Sequence, residues 1–477
     1  MSLFRHLLFH AFKWSAAGEL ASRVIQPLVF LILVRILTPE DFGVVAAATM
    51  IINFSQVFWE AGMSKALIQR QKDVHEAADV AFWINVALGA VVGGLVFSLA
   101  EPVAHHLFQD DRVTLVLQVM VLQIVLAALA SVHTALLQKE FHFKRLFWVR
   151  LLTVALPAFA SIPMALTGGS YWALVAGTLL GQAVQTTVLW RVHVWRPRWA
   201  FDFQIAREMA GFGAWVALSG LLAWFYVWAD TLVVGMYLGA HDLGLYRTGN
   251  QFVIMLFGII FAPLLPVLYS HLSEIQADRE RLKATYVRVV KASILVAIPI
   301  AFILFAAAEP LGVLIFGEAW TGIGFVIGAM ALMHGVAWVV GANGEVYRAI
   351  GKPAYETIVN ATFLLIYMIG YLWSIRHGFE AFVWARFALA AAANAMHLIL
   401  VRHLLGISLA PLIRFFALIT LAASAAIPVG MVLSRHVDGL FAQAAATVAI
   451  GMLAILSALF ILGEGRTIRR LLSSHRR

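Results

Sequence analysis

Apolar runs of about twenty residues recur from one end of this 477-residue chain to the other, separated by short polar turns. Each run is long enough to cross a hydrocarbon core of about 30 Å as a helix. In hydrocarbon every backbone polar group must be satisfied by the protein itself, which leaves only helices or closed barrels. Barrel strands would show segments of about ten residues with alternating polarity, and the chain shows none. Composition agrees, with 62% hydrophobic and only 12% charged residues, against about 25% charged in a typical soluble domain. The expected class is an all-α polytopic membrane protein with about 14 transmembrane helices.

Two chemistries are excluded at once. The chain has no cysteine, which removes disulfides, thiol nucleophiles and thiolate metal sites. No G-x-x-x-x-G-K-[ST] loop occurs, so ATP hydrolysis on this chain is not expected. No cofactor or metal site is expected either, since His105-His106 is too sparse a pair to hold an ion. Arg5 and Lys13 precede the first apolar run, but no small-residue cleavage site follows. The segment reads as an uncleaved first span rather than a signal peptide.

The net charge of +9 would suit a nucleic-acid partner, but its placement argues otherwise. Of the 34 Lys and Arg residues, 27 fall in the two termini and in the loops after even-numbered spans. These include Lys139, Lys144 and Arg145, Arg191 to Arg207, and Arg279 to Lys291. The intervening loops are short and acidic, carrying Glu40, Asp41, Asp110, Asp111 and Glu318. By the positive-inside rule both termini are expected in the cytoplasm, and no nucleic acid is needed. The stretch from His271 to Lys291 reads as a cytoplasmic amphipathic linker.

The chain also repeats itself. Leu37-Thr-Pro-Glu-Asp-Phe-Gly43 is echoed 201 residues later by Leu238-Gly-Ala-His-Asp-Leu-Gly244, with Leu, Asp and Gly in register. At the same offset Trp14 falls on Trp215, Leu20 on Leu221 and Leu31 on Leu232. Internal repeats of this kind are common in transporters. They imply two six-helix lobes related by duplication, residues 1–204 and 205–403. Residues 404–477 add two further helices and a basic tail.

Charges inside spans are costly, about 2.5–3.5 kcal/mol each at the helix centre on insertion scales, and usually face a cavity or a partner. They gather in spans 1, 2, 7 and 8. Glu19, Arg23 and Gln26 share a stripe in the first span, with Arg35 further on. Asn53, Gln56 and Glu60 share one in the second. Trp224, Tyr226 and Asp230 lie in the seventh, and Arg247, Asn250 and Gln251 open the eighth. A polar cleft between the lobes is therefore expected. Arg23, Arg35 and Arg247 would bind an anionic group there, and Asn53, Asn250 and Gln251 would line it. Glu19, Glu60 and Asp230 would pair with the arginines or take up a coupling cation, while Trp224 and Tyr226 would stack on sugar faces.

Plainer roles fit the same residues. Glu19 and Arg23 form an intrahelical pair at i, i+4. Arg35 and Arg247 lie close enough to span ends to snorkel. Glu60 and Lys65 sit at a membrane boundary, and Trp and Tyr also serve as interfacial anchors.

At Leu37–Gly43, Glu60–Gln69 and Asp230–Tyr246, and in its basic loop Ala135–Arg145, the chain resembles the polysaccharide transporter family. These are Wzx-type lipopolysaccharide and exopolysaccharide flippases of the multidrug/oligosaccharidyl-lipid/polysaccharide exporter superfamily. The resemblance implies a non-enzymatic exporter in the bacterial inner membrane. It would move an undecaprenyl-diphosphate-linked oligosaccharide across the bilayer by alternating access. H+ or Na+ are the candidate coupling ions, and other polysaccharide assembly proteins the candidate partners. The family's cationic cavity residues match Arg23, Arg35 and Arg247 in type. A cation-coupled multidrug antiporter of the same fold is the alternative. A membrane polysaccharide polymerase or ligase is more remote, because the chain lacks a sizeable outer loop to hold a sugar acceptor.

Overall fold

A computed structural model describes residues 25–461. Helices run almost end to end through them, and no strand occurs among the described residues. The first described helix is the short apolar α1 (Ile25–Ile36), followed at membrane scale by α2 (Pro39–Glu60), α3 (Val74–Ser98), α4 (Arg112–Lys139), α5 (Phe143–Leu166) and α6 (Trp172–Val192). The helix Phe203–Phe261 that follows has a single non-helical residue, Gly239 at φ +81° and ψ −176°. That backbone is open only to glycine, so we treat the element as α7 (203–238) and α8 (240–261). Then come α9 (Arg279–Phe316), α10 (Ile323–Val339), α11 (Ala354–Ser374), α12 (Phe379–Leu405), α13 (Ala410–His436) and α14 (Leu440–Ile461).

Among the described residues twelve helices are long and apolar enough to span a bilayer, the merged Phe203–Phe261 counting as one of them. The all-α polytopic class expected from the apolar runs is the class observed. Helix starts on the basic side come earlier than hydropathy places them. Apolarity starts the corresponding spans near residues 80, 150, 210 and 289, whereas α3, α5, α7 and α9 begin at Val74, Phe143, Phe203 and Arg279. Hydropathy sees only the part in hydrocarbon, while the first turns carry polar and charged residues beyond it. The stretch His271–Lys291 is likewise mostly helix. Leu264–Glu274 precedes it, and α9 opens at Arg279 behind Asp278, whose side chain accepts the Arg281 N–H as an N-cap.

Contacts divide the chain into two compact units, Met1–Gly244 and Leu245–Arg477. In the first, Met63, Leu67, Ala81, Phe82 and Val132 form a buried cluster where α3 and α4 meet the short helix Met63–Gln69. In the second, Tyr286, Val290, Ile294, Tyr347 and Ile419 form a buried cluster around α9, α13 and the short helix Asn343–Ala349. Neighbours in sequence pack most extensively, α9 with α10 and α5 with α6 above all, as short connections between antiparallel helices require.

Candidate functional site

The echoed turns are where the first unit is pinned. Thr38 caps α2 in a reciprocal box: its Oγ1 accepts the Asp41 N–H at 3.4 Å, and its own N–H donates to Asp41 Oδ2 at 3.0 Å. Pro39 fills the first helical position, where no donor is needed. The Ser170 hydroxyl, from the α5–α6 turn, donates to the other oxygen of the buried Asp41. Proline, acid and threonine of the motif thus cap α2, and the acid also ties its start to the α5–α6 turn.

The glycines do something else. A Cβ on Gly43 would run into the Ala240 carbonyl, and one on Gly244 into the Pro39 carbonyl. At the repeat offset of 201, Gly43 corresponds to Gly244 and Pro39 to Ala240, so the two contacts are the same contact made twice. Residues 40 and 241 correspond to each other as well, and His241 Nδ1 lies 2.6 Å from Glu40 Oε1. This is the self-complementary pattern of a two-fold interface, here written within one chain.

From that crossing α2 and α7 run antiparallel. Gly220 lies beside Val57, and Phe54 meets Trp224 edge to face at 4.8 Å between ring centres. At the far end Gly62 abuts Gly213, where either Cβ would collide with backbone. Between the two close approaches a cavity of about 310 Å³ opens, lined by Asn53, Gln56, Glu60, Lys65, Trp224 and Trp228. The Gln56 amide donates to Glu60 Oε2 at 3.2 Å, and Asn53 Nδ2 donates to the Thr49 carbonyl at 2.8 Å. Trp224 is 8% exposed, and its indole N–H has no acceptor. Buried donors are nearly always satisfied, so this N–H is an exception within a residue that borders the cavity.

Asn53, Glu60 and Trp224 are therefore brought together as three of the residues singled out by sequence. Other candidates lie elsewhere. Arg35 is exposed on α1, and Tyr226 is exposed on a face of α7 away from the cavity lining. Asp230 is buried, its Oδ1 accepting the Thr231 N–H at 2.6 Å and hydroxyl at 3.1 Å. Arg247, Asn250 and Gln251 belong to the second unit. There Asn250 Oδ1 accepts from His334 Nε2 at 2.9 Å, and Gln251 is exposed. Glu19 and Arg23 lie outside the described residues.

Sequence reasoning left three contributors out of the site. Periodicity placed Gln56 on the same i, i+3, i+7 stripe as Asn53 and Glu60, but it was given no role in the site. Trp228 sits one turn beyond Trp224. Lys65 reaches the cavity because Ala61 and Gly62 both turn left-handed, at φ 42° and 71°, and redirect the chain into Met63–Gln69. No linear pattern encodes that. In the second unit, Arg386 of α12 is a mid-span charge to which sequence gave no role. Its Nε donates to the Tyr246 hydroxyl at 3.2 Å, and its guanidinium lies 5.9 and 5.6 Å from the ring centres of Tyr367 and Tyr371. Cation–π contacts of this kind offset part of the burial cost.

Residues 32–324 match the family model described as polysaccharide biosynthesis protein. The succinoglycan biosynthesis transport protein ExoT of Rhizobium meliloti is 26% identical over 341 residues, 72% of this chain and 69% of that one. The lipopolysaccharide biosynthesis protein WzxC of Escherichia coli is 24% identical over 317 residues, 65% of this chain and 63% of that one. Among solved structures, the lipid II flippase MurJ in an inward closed conformation superposes with a TM-score of 0.76 at 15% identity, covering 94% of this chain and 98% of its own. An inward-facing multidrug resistance MATE family transporter gives 0.63 at 16%, covering 82% and 98%. At those identities the superpositions speak for the fold.

Proposed function

From the premise that the chain belongs to the polysaccharide biosynthesis protein family, we propose that it moves a polyprenyl-diphosphate-linked oligosaccharide across the bacterial inner membrane by alternating access. It is a multi-pass membrane transport protein, not a catalyst. Undecaprenol as the carrier, a repeat unit of O-antigen or exopolysaccharide as cargo, and cytoplasmic termini complete the proposal. The basic loops support that orientation.

The observation that carries the reading is the match to polysaccharide transporters over most of the chain. The polar cavity between α2 and α7 gives it a physical basis. A diphosphate and its sugars cannot enter about 30 Å of hydrocarbon unaided. Asn53, Gln56, Lys65 and the unpaired Trp224 N–H offer hydrogen bonds and one cation instead, and a polyprenyl tail needs no such help from the protein. The crossing of the echoed turns closes one end of this helix pair. In an alternating cycle Gly43 must part from Ala240 and Gly244 from Pro39. Glu60, and Asp230 beyond the cavity, are our proposed sites for ion coupling, with Arg23, Arg35 and Arg247 as further anion-binding positions.

Deletion of the gene tests this directly. The expected result is loss of surface polysaccharide, with lipid-linked repeat units retained in the cytoplasmic leaflet and restored export on complementation. Intact polysaccharide together with altered sensitivity to cationic drugs would instead identify a multidrug antiporter.

A further inference from the structure

A second polar cavity lies in the first unit, at the opposite end from the echoed turns. It encloses about 560 Å³ and shares no lining residue with the α2–α7 cavity. Its walls are the start of α3, the connection between α4 and α5, and the segment that follows α6. The side chains that matter are His75, Asp79, Glu140, Arg145, Arg196 and Arg198.

Most of the polar groups here are already spoken for by the chain. His193 is buried, and its Nδ1 accepts the Trp195 N–H at 3.1 Å. Its Nε2 therefore carries a proton and donates to Glu140 at 3.2 Å. Asp79, also buried, accepts the Arg198 backbone N–H at 3.0 Å. Arg196 is spent on the carbonyls of Trp190, His193 and Trp195 at 2.6 to 2.7 Å, closing the end of α6.

Two guanidinium groups remain. Arg145 makes one long bond, 3.3 Å to the Val192 carbonyl. The Arg198 guanidinium makes no hydrogen bond to the protein among the described residues. Three arginines face two carboxylates, so the cavity is cationic and still has donors to give.

Its surroundings fix its depth. Trp199 is 91% exposed and stacks on Trp83 at 4.1 Å, while the Trp83 indole N–H donates to the Arg198 carbonyl at 2.8 Å. Val194 on the cavity lining is exposed, as are Phe203 just after the segment and Trp148 one turn beyond Arg145. So many exposed apolar groups would be a liability in water and are favourable at headgroup level, where tryptophan and tyrosine gather. Arginines at that level on the basic side of a membrane protein meet an anionic lipid surface.

We propose that this cavity binds the phosphate headgroup of an anionic phospholipid, held by Arg145 and Arg198, with the acyl chains lying along Trp199 and Phe203. The inference rests on the orientation proposed above, in which this end faces the cytoplasmic leaflet. The bound lipid would anchor the segment 193–202, which has no regular helix of its own.

The test uses the full chain purified in detergent and titrated by native mass spectrometry with phosphatidylglycerol or phosphatidylcholine. The expected result is a preference for phosphatidylglycerol of about thirtyfold, the scale of two arginines near an anionic surface. The double variant Arg145→Ala, Arg198→Ala should lose that preference. The double lysine variant should keep most of it, which guards against a merely structural loss. Equal binding of the two lipids, or an unchanged preference in the alanine variant, overturns the proposal. Inorganic phosphate displacing the lipid at equal concentration would show a free-anion site, and displacement by a polyprenyl diphosphate would assign the cavity to the cargo; either also overturns it. Orientation is checked separately with Val194→Cys, the chain having no other thiol. A membrane-impermeant maleimide should label it only in permeabilised cells. Labelling in intact cells would overturn the orientation while leaving the binding result to stand or fall by itself.

Discussion

Two cavities in this protein are nearly equal in size and opposite in chemistry. The one between α2 and α7 encloses about 310 Å³, and the one among α9, α10, α12 and α13 about 320 Å³. The first is lined by Asn53, Gln56, Glu60 and Lys65 beside two tryptophans. The second is lined by Val290, Ile294, Val339, Phe387 and Leu412, with Asn394 its one polar side chain. Inside a membrane the second lining carries little polar burden beyond Asn394, because the rest differs little from lipid. The first lining does, since each polar group must be hydrated or partnered at depth. Volume therefore says little about function here, and the retained polar cost says more.

The contrast breaks most completely if the helix pair bounding the polar cavity cannot form. Gly43→Val places a branched side chain in the Ala240 carbonyl, and a loss of about 4–5 kcal/mol is expected, at the far end of single substitutions. Little folded protein should be recovered, as read by size-exclusion chromatography of the detergent extract. Normal recovery and export would mean that the echoed turns do not meet.

Next in size is a charge moved between the two environments. Val339→Asp in the apolar cavity should cost about 2.5–3.5 kcal/mol, whereas Asn53→Asp in the polar one should cost under about 1 kcal/mol. Thermal unfolding of both variants in detergent compares them, and equal midpoints would erase the distinction between the cavities.

A smaller change probes the unpaired donor. Trp224→Phe keeps the ring against Phe54 and removes the N–H, so stability should hold. Export should fall about fivefold, the value of one hydrogen bond to cargo or its bound water. A rise in stability with unchanged export would make the orphan a mere burial cost. The smallest effect is Gln56→Ala, which loses an exposed bond to Glu60 worth about 0.5 kcal/mol. Its export should drop less than that of Trp224→Phe in the same surface-polysaccharide assay, and a larger drop would make Gln56 a principal contact.

Much of the fold was legible because hydrocarbon permits so little. Apolar runs had to be helices, whereas the cap that starts α2 at Thr38, Pro39 and Asp41 was visible only once the turn was folded. The helix starts near Val74 and Arg279 were less legible, because hydropathy marks where lipid begins rather than where the helix begins. The polar stripe Asn53, Gln56 and Glu60 showed which side chains were costly to insert. It did not show that Trp224 would complete their cavity, that Lys65 would turn back into it, or that Asp230 would be taken up by Thr231.

The all-helical membrane class, the echoed turn and the residues that hydrocarbon penalises were readable from the chain alone. Those follow from local composition and period, which the solvent reads residue by residue. That the two echoed turns cross at Gly43 and Gly244, and that each unit holds a cavity of nearly the same size but opposite chemistry, emerged only on folding. Such contacts depend on how closely two backbones approach. That distance is set by the missing Cβ atoms of glycines 201 residues apart, and no local pattern carries it.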